Sequence, residues 1–173
     1  VVNVSVDDRG NGATDAVLGS VVCASGTFNV TLNLSSLDDG TLDVLADHSD
    51  SVGNPATQAA TTVEHDTLAP SVPNDFFLDT PASQTSNDPN PELRFNSLGG
   101  YELIRVWGDN SCSTELSTAT ASASTLTISI PLSSDGNYEF WATAEDGLGN
   151  RSDCSATSIS YTLDRSISAI SQV

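Results

Sequence analysis

The feature that most limits what this chain can fold into is an internal repeat. Asp39-Gly40-Thr41-Leu42-Asp43-Val44-Leu45-Ala46, running on to Asp50-Ser51-Val52-Gly53-Asn54, returns as Asp135-Gly136-Asn137-Tyr138-Glu139-Phe140-Trp141-Ala142, running on to Asp146-Gly147-Leu148-Gly149-Asn150, at an unbroken offset of 96 positions. Each copy reads as a turn, an alternating strand and an acidic Gly-Asn turn. The inward set is Leu42, Val44 and Ala46 in one copy and Tyr138, Phe140 and Ala142 in the other. A length of 173 residues admits one or two domains, and a repeat of this spacing implies two in tandem.

The rest of the chain follows the same all-β grammar. Val2, Val4 and Val6 alternate with Asn3 and Ser5, a second strand is expected near Val17 to Val22, and Phe28, Val30, Leu32 and Leu34 alternate strictly. The last strand of this half is expected near Ala59 to Glu64. Pro70 and Pro73 then favour an extended, stiff connection that continues no central strand. Seven strands are expected beyond it: Phe76 to Leu78, Glu92 to Phe95, Tyr101 to Trp107, Glu115 to Ala121, Leu126 to Ile130, Tyr138 to Ala144 and Thr157 to Leu163. The expected boundaries are a first domain over 1–67, a second over 68–165 and a C-terminal extension over 166–173.

The order Asp-Gly, apolar alternation, Asp-x-x-Gly-Asn, a further strand and then Asp66-Thr67-Leu68-Ala69-Pro70 resembles the bacterial Ig-like repeats strung along large surface adhesins. That resemblance implies two tandem Ig-like antiparallel β-sandwich domains in a non-enzymatic structural or adhesive module of an extracellular surface fibre or adhesin. Seven short strands separated by turn signals fit such a sandwich. The partners it implies are neighbouring Ig-like domains or fibre subunits, and a cell-surface or glycan ligand. An alternative with the same fold is a self-assembling, pilus-like subunit completed by strand donation from its neighbour.

Charge narrows the partners. With 23 acidic residues against five Arg, no Lys and a net charge of −18, the surface repels phosphates, so neither nucleic acid nor an anionic membrane is expected as a partner. No apolar run is long enough to span a bilayer, so membrane insertion is not expected either. The acid is spread as single Asp residues in turns, a pattern that suits either hard-cation loops or plain turn formation. In the resembled family calcium at domain junctions stiffens the stalk, which makes calcium the expected cofactor. Asp50 and Asp66, with their counterparts Asp146 and Asp164, are the candidate ligands, joined at the junction by Asp75 or Asp79. The competing reading keeps these carboxylates as turn formers bonded to local backbone.

Three further groups stand out. Cys112 and Cys154 lie 42 positions apart in the second domain, and in a secreted setting they are expected to form a disulfide. Cys23 is left over and reads as a small apolar strand residue. If Ile104 and Val106 point inward, then Arg105, Trp107 and Trp141 point outward. Such a face is either a binding surface or is covered by a neighbouring domain, loop or subunit. Catalysis is not expected, because His48 and His65 form no metal-spaced pair and no Gly-x-Ser-x-Gly elbow occurs.

The repeat also carries an expectation about completeness. In its register the Val2 to Val6 strand matches the third strand of the second domain, and the counterpart of about Ser71 to Phe95 is missing from the first. The first domain is therefore expected to lack its N-terminal strands and to be completed from outside residues 1–173. An upstream segment fits better than the C-terminal stretch, where the spacing of Ile167 and Ile170 breaks the alternation.

Overall fold

The computed structural model describes residues 1–8, 17–99 and 102–166. They contain twelve strands and no helix, and the chain divides into two compact units, Val1–Leu68 and Ala69–Val173. Tyr101, expected to open a strand, and Ile167 and Ile170 lie outside the described residues. Among the described residues no helix is long and apolar enough to cross a membrane.

In the first unit, β1 (Val2–Asp7), β2 (Val17–Val21), β3 (Gly40–His48) and β4 (Ala59–His65) form one antiparallel sheet in the order β2-β1-β3-β4. Alternation decides which side is covered. Val2, Val4, Val6 and Leu42 are buried while Asn3 and Asp7 face water. The small core joins Val6, Leu37 and Leu42, with Val17, Leu32, Leu34 and Val44 packed against it.

The second unit has two sheets. One is β10 (Leu126–Ser129), β7 (Glu92–Phe95) and β5 (Phe76–Thr80), in that order; the other is β6 (Thr85–Ser86), β12 (Ile159–Leu163), β11 (Gly136–Glu145), β8 (Leu103–Trp107) and β9 (Glu115–Thr120). Phe76, Leu93, Phe95 and Ile128 of the first sheet share a core with Ile104, Val106, Phe140, Ala142, Tyr161 and Leu163 of the second. Several of these side chains are wholly buried, each worth about 1.5–3 kcal/mol against exposure. The two-residue β6 was not expected from the sequence. It pairs in parallel with β12, Thr162 facing Thr85, too short a run for periodicity to reveal.

The ladders relate the units strand by strand. Val4 faces Ala46 in β3 as Val106 faces Ala142 in β11, so β1 stands where β8 stands. Likewise Val44 faces Thr61 as Phe140 faces Ile159, matching β4 to β12. The sheet β2-β1-β3-β4 thus repeats β9-β8-β11-β12, while the three-stranded sheet has no counterpart among the described residues of the first unit. One expected strand is corrected here. Residues 28–34 belong to no described ladder, because their counterpart β10 is held by pairing with β7 and no described residue of the first unit takes that position. A strand needs a partner for its backbone groups, and alternation alone does not supply one.

Candidate functional site

The acidic turns are built alike. After β3, the Asp50 carboxylate accepts from the backbone amides of Val52 (3.0 Å) and Asn54 (2.8 Å) and from Asn54 Nδ2 (2.7 Å). After β11, Asp146 accepts from the amides of Leu148 and Asn150 and from Asn150 Nδ2, each at 2.9 Å. The Asn side-chain bond, reinforced by backbone donors, holds each carboxyl below its ordinary value. Gly53 and Gly149 close the turns at φ of 95° and 93°, a conformation that costs a side-chain-bearing residue steric energy.

Asp66 and Asp164 belong to the other end of the sheet. His65 faces Gly40 and Leu163 faces Gly136, which puts both residues beside the turn that opens β3 or β11. Asp66 accepts from Leu68 N and Asp164 from Ser166 N, both at 2.9 Å. Beside them Asp39 accepts from Thr67 N (2.9 Å) and Oγ1 (3.0 Å), and Asp135 from Arg165 N (3.0 Å) and Nε (2.6 Å). Arg165 lowers the Asp135 carboxyl, and the Ser166 hydroxyl and amide lower that of Asp164.

This placement corrects the pairing expected for calcium. Asp50 and Asp66 lie at opposite ends of β3, whose nine residues span roughly 30 Å at about 3.3 Å each. One ion cannot bridge them within a unit, and the same holds for Asp146 and Asp164. Nor do the described residues contain any group of three or more His, Cys, Asp or Glu side chains that could hold a metal ion. Within each turn the Asp50 or Asp146 carboxylate is instead taken up by local amide donors.

The outward face of β8 and β11 is a covered layer. Trp107 and Trp141 are Cα partners across the ladder, yet Trp107 is only 6% exposed and Trp141 is half-buried. Of the two readings of this face, Trp107 takes the covered one, and it is not an open binding residue. A loop and a strand extension close over it. Cys112 and Cys154 form the disulfide, Arg151 lies 4.3 Å over the Trp107 ring, and Arg151 Nη2 donates to Cys112 O at 2.9 Å. The indole Nε1–H donates to Thr143 Oγ1 at 3.0 Å, and Thr143 is wholly buried. Ser152 and Ser155 accept from the amides of Ala144 and Ala142, tying residues 152–155 along β11.

Arg105 is engaged in the same sheet. Its guanidinium donates to Glu115 (2.7 Å) and Glu145 (3.2 Å), and the Glu115 bond foremost raises its pKa. None of Thr143, Arg151, Ser152 or Ser155 stood out in the sequence. The one available signal was Arg151, directly after the second Asp-x-x-Gly-Asn turn, where the first copy has Pro55. Asp109 also escaped notice; it accepts from Ser111, Ser113 and Thr114, and the Ser111 hydroxyl foremost holds its carboxyl well below the usual range.

An open apolar feature lies in the first unit. A groove of about 570 Å³ is lined by Val4, Val6, Val30, Leu32, Val44 and Ala46 among others. Cys23 is exposed, with a free thiol, and not a strand-core residue.

Comparison with solved structures finds several that resemble this chain. A solved structure described as a tetra-tandem repeat in the extending region of a large adhesion protein is similar at 24% identity and a TM-score of 0.35, over 94% of this chain and 41% of that one. The chain thus spans less than half the length of that structure. No family model matches the chain, and no curated protein matches it.

Proposed function

We propose that this chain is a non-catalytic structural module of an extracellular bacterial fibre or adhesin, built from tandem Ig-like repeats that space out what they join. One observation carries the reading. Both units build the same strand from the same devices, a self-bonded Asp-x-x-Gly-Asn turn at one end and an Asp clamp on the departing chain at the other. In the second unit the incoming segment at Pro70 lines a cleft with Ala144 of β11, near the Asp146 turn. The chain leaves at Arg165, by the opposite turn at Asp135. A unit entered at one end and left at the other turns repetition into length.

Other features support parts of this reading. Strands β5, β7 and β10 opposite β8, β11 and β12 match the division of an Ig sandwich into A, B, E and C, F, G strands. The disulfide suits an oxidising compartment, and a net charge of −18 suits an exposed, soluble surface. Neighbouring repeats are the partners, and any glycan or cell-surface ligand binds elsewhere than at the covered Trp107. Small-angle scattering of the chain tests the spacing role. A radius of gyration well above the ~16 Å of one compact globule of this length is expected. A value near ~16 Å, or failure of an antibody to the chain to label intact source cells, refutes it.

A further inference from the structure

We propose that the outer face of the three-stranded sheet of the second unit binds a neutral sugar ring of a glycan, with Phe77 as the stacking platform and Arg94 and Glu92 as the polar contacts. Alternation builds the face. Phe76, Leu93, Phe95 and Ile128 are buried in the core. Phe77 and Asp79 of β5, Glu92 and Arg94 of β7, and Thr127 and Ser129 of β10 therefore point the other way. Arg94 stands at the centre, with Phe77 as its Cα partner on one side and Thr127 on the other. Phe77 is 42% exposed, and Arg94 and Thr127 are exposed beside it.

Arg94 differs from the other described arginines. Arg105 is held by Glu115 and Glu145, Arg151 by the Trp107 ring and Cys112 O, and Arg165 by Asp135. Among the described residues, neither the Arg94 guanidinium nor the Glu92 carboxylate has a hydrogen-bond or ion-pair partner. They lie two residues apart on one side of β7, roughly 7 Å at about 3.3 Å per residue. With 23 acidic residues against five Arg, an arginine without an anion is a donor fork left available.

Charge and size select the ligand. Asp79 and Glu92 share the face with Arg94, and the chain carries a net charge of −18, so an anionic ligand is repelled. A hydroxyl group both donates and accepts, so neighbouring hydroxyls of one neutral sugar satisfy the guanidinium and the carboxylate together. The face of an aromatic ring is negative and attracts the positively polarised C–H bonds on the flat side of a sugar ring. Three strands of four or five residues present a patch of about 10 by 15 Å. That suits a short stretch of sugar and falls well below the ~800 Å² per partner of a stable protein interface. The first unit has no counterpart of this sheet among its described residues, so the site belongs to the second unit. It rests on the extracellular setting proposed above and not on the spacing role, so scattering and sugar binding can fail separately.

The test screens the intact chain against immobilised neutral oligosaccharides of glucose, galactose, mannose and N-acetylglucosamine, beside sialylated and uronic-acid oligosaccharides. Binding of at least one neutral oligosaccharide is expected, with amide shifts on titration centred on β5, β7 and β10. Phe77→Ala and Arg94→Ala should each weaken that binding at least tenfold and leave the melting temperature unchanged, since both side chains face water. Glu92→Gln, which keeps an acceptor, should cost less than Glu92→Ala. Shift mapping on the unaltered chain reads the site even where a variant misfolds. Absence of binding to every neutral oligosaccharide at millimolar concentration overturns the proposal, as do shifts centred on Trp141 or on the groove of the first unit. A preference for the acidic oligosaccharides that fades with added salt makes Arg94 an anion site and overturns it too. A concentration-dependent dimer that Phe77→Ala abolishes gives the face to a second copy, with the same consequence.

Discussion

Thr143→Val tests whether the layer over Trp107 is a structural element. Thr143 is wholly buried, Trp107 is 6% exposed, and their side chains share one hydrogen bond of 3.0 Å. Valine keeps the shape and removes the acceptor, so the indole N–H is left buried without a partner. That penalty is about 1–3 kcal/mol. For a unit of this size each kcal/mol lowers the melting temperature by about 4–8 °C, so a fall of roughly 4–24 °C is expected in the second unit. Trp107→Phe removes the donor instead and weakens the contact with the stacked Arg151, worth about 0.5–2 kcal/mol in full. In the double variant neither partner is orphaned, so its loss should fall short of the sum of the single losses by about 1 kcal/mol or more. Urea unfolding followed by far-ultraviolet circular dichroism, with the disulfide intact, reads all three. A neutral Thr143→Val, or strict additivity in the double variant, would refute the reasoning.

Three other outcomes are expected. Reducing Cys112–Cys154, which closes a separation of 42 residues, should destabilise the second unit by roughly 4 kcal/mol on the chain-entropy model and leave the first unit unchanged, as two calorimetric transitions would show. Gly149→Ala and Gly53→Ala should each cost about 1–2 kcal/mol, since alanine resists positive φ; a cost near zero in urea melts would mean that the turn is not held as described. Because hydrogen bonds hold the folded-state carboxyls of Asp50, Asp135, Asp146 and Asp164 below the ordinary carboxylate value, their stabilisation is complete above that ordinary value and is lost as pH falls through the folded values. Asp146→Asn should flatten part of that acid limb, and an unchanged limb would remove Asp146 from its cause.

Much of the strand framework was legible in the sequence, for a physical reason. A half-buried strand needs alternation, and a turn that bonds its own Asp to an Asn four residues on needs both residues and a Gly between them. Hence β3, β11 and their turns could be read from Asp39–Asn54 and its copy. What could not be read depended on partners distant in sequence. Residues 28–34 alternate as well as Leu126–Ser129 do, but alternation does not reveal whether a neighbour pairs with them. Trp107 points outward as its parity dictates, and only the loop fastened by Cys112–Cys154 buries it. The acidic residues were found and their grouping was misjudged, because which end of a sheet a loop occupies is set by the β3–β4 and β11–β12 registers. No local pattern encodes those registers.

The disulfide has a mechanical consequence. If the chain is drawn out by its ends, the backbone between Cys112 and Cys154 is bypassed, because tension crosses the covalent sulfur bridge. At about 3.3–3.6 Å per extended residue, the 42-residue separation withholds roughly 140–150 Å of contour length from any pull. The strands β9, β10 and β11 lie wholly inside that loop. A unit that yields would therefore release a short, fixed length and stop, and reduction of one bond would lengthen its travel by that same amount.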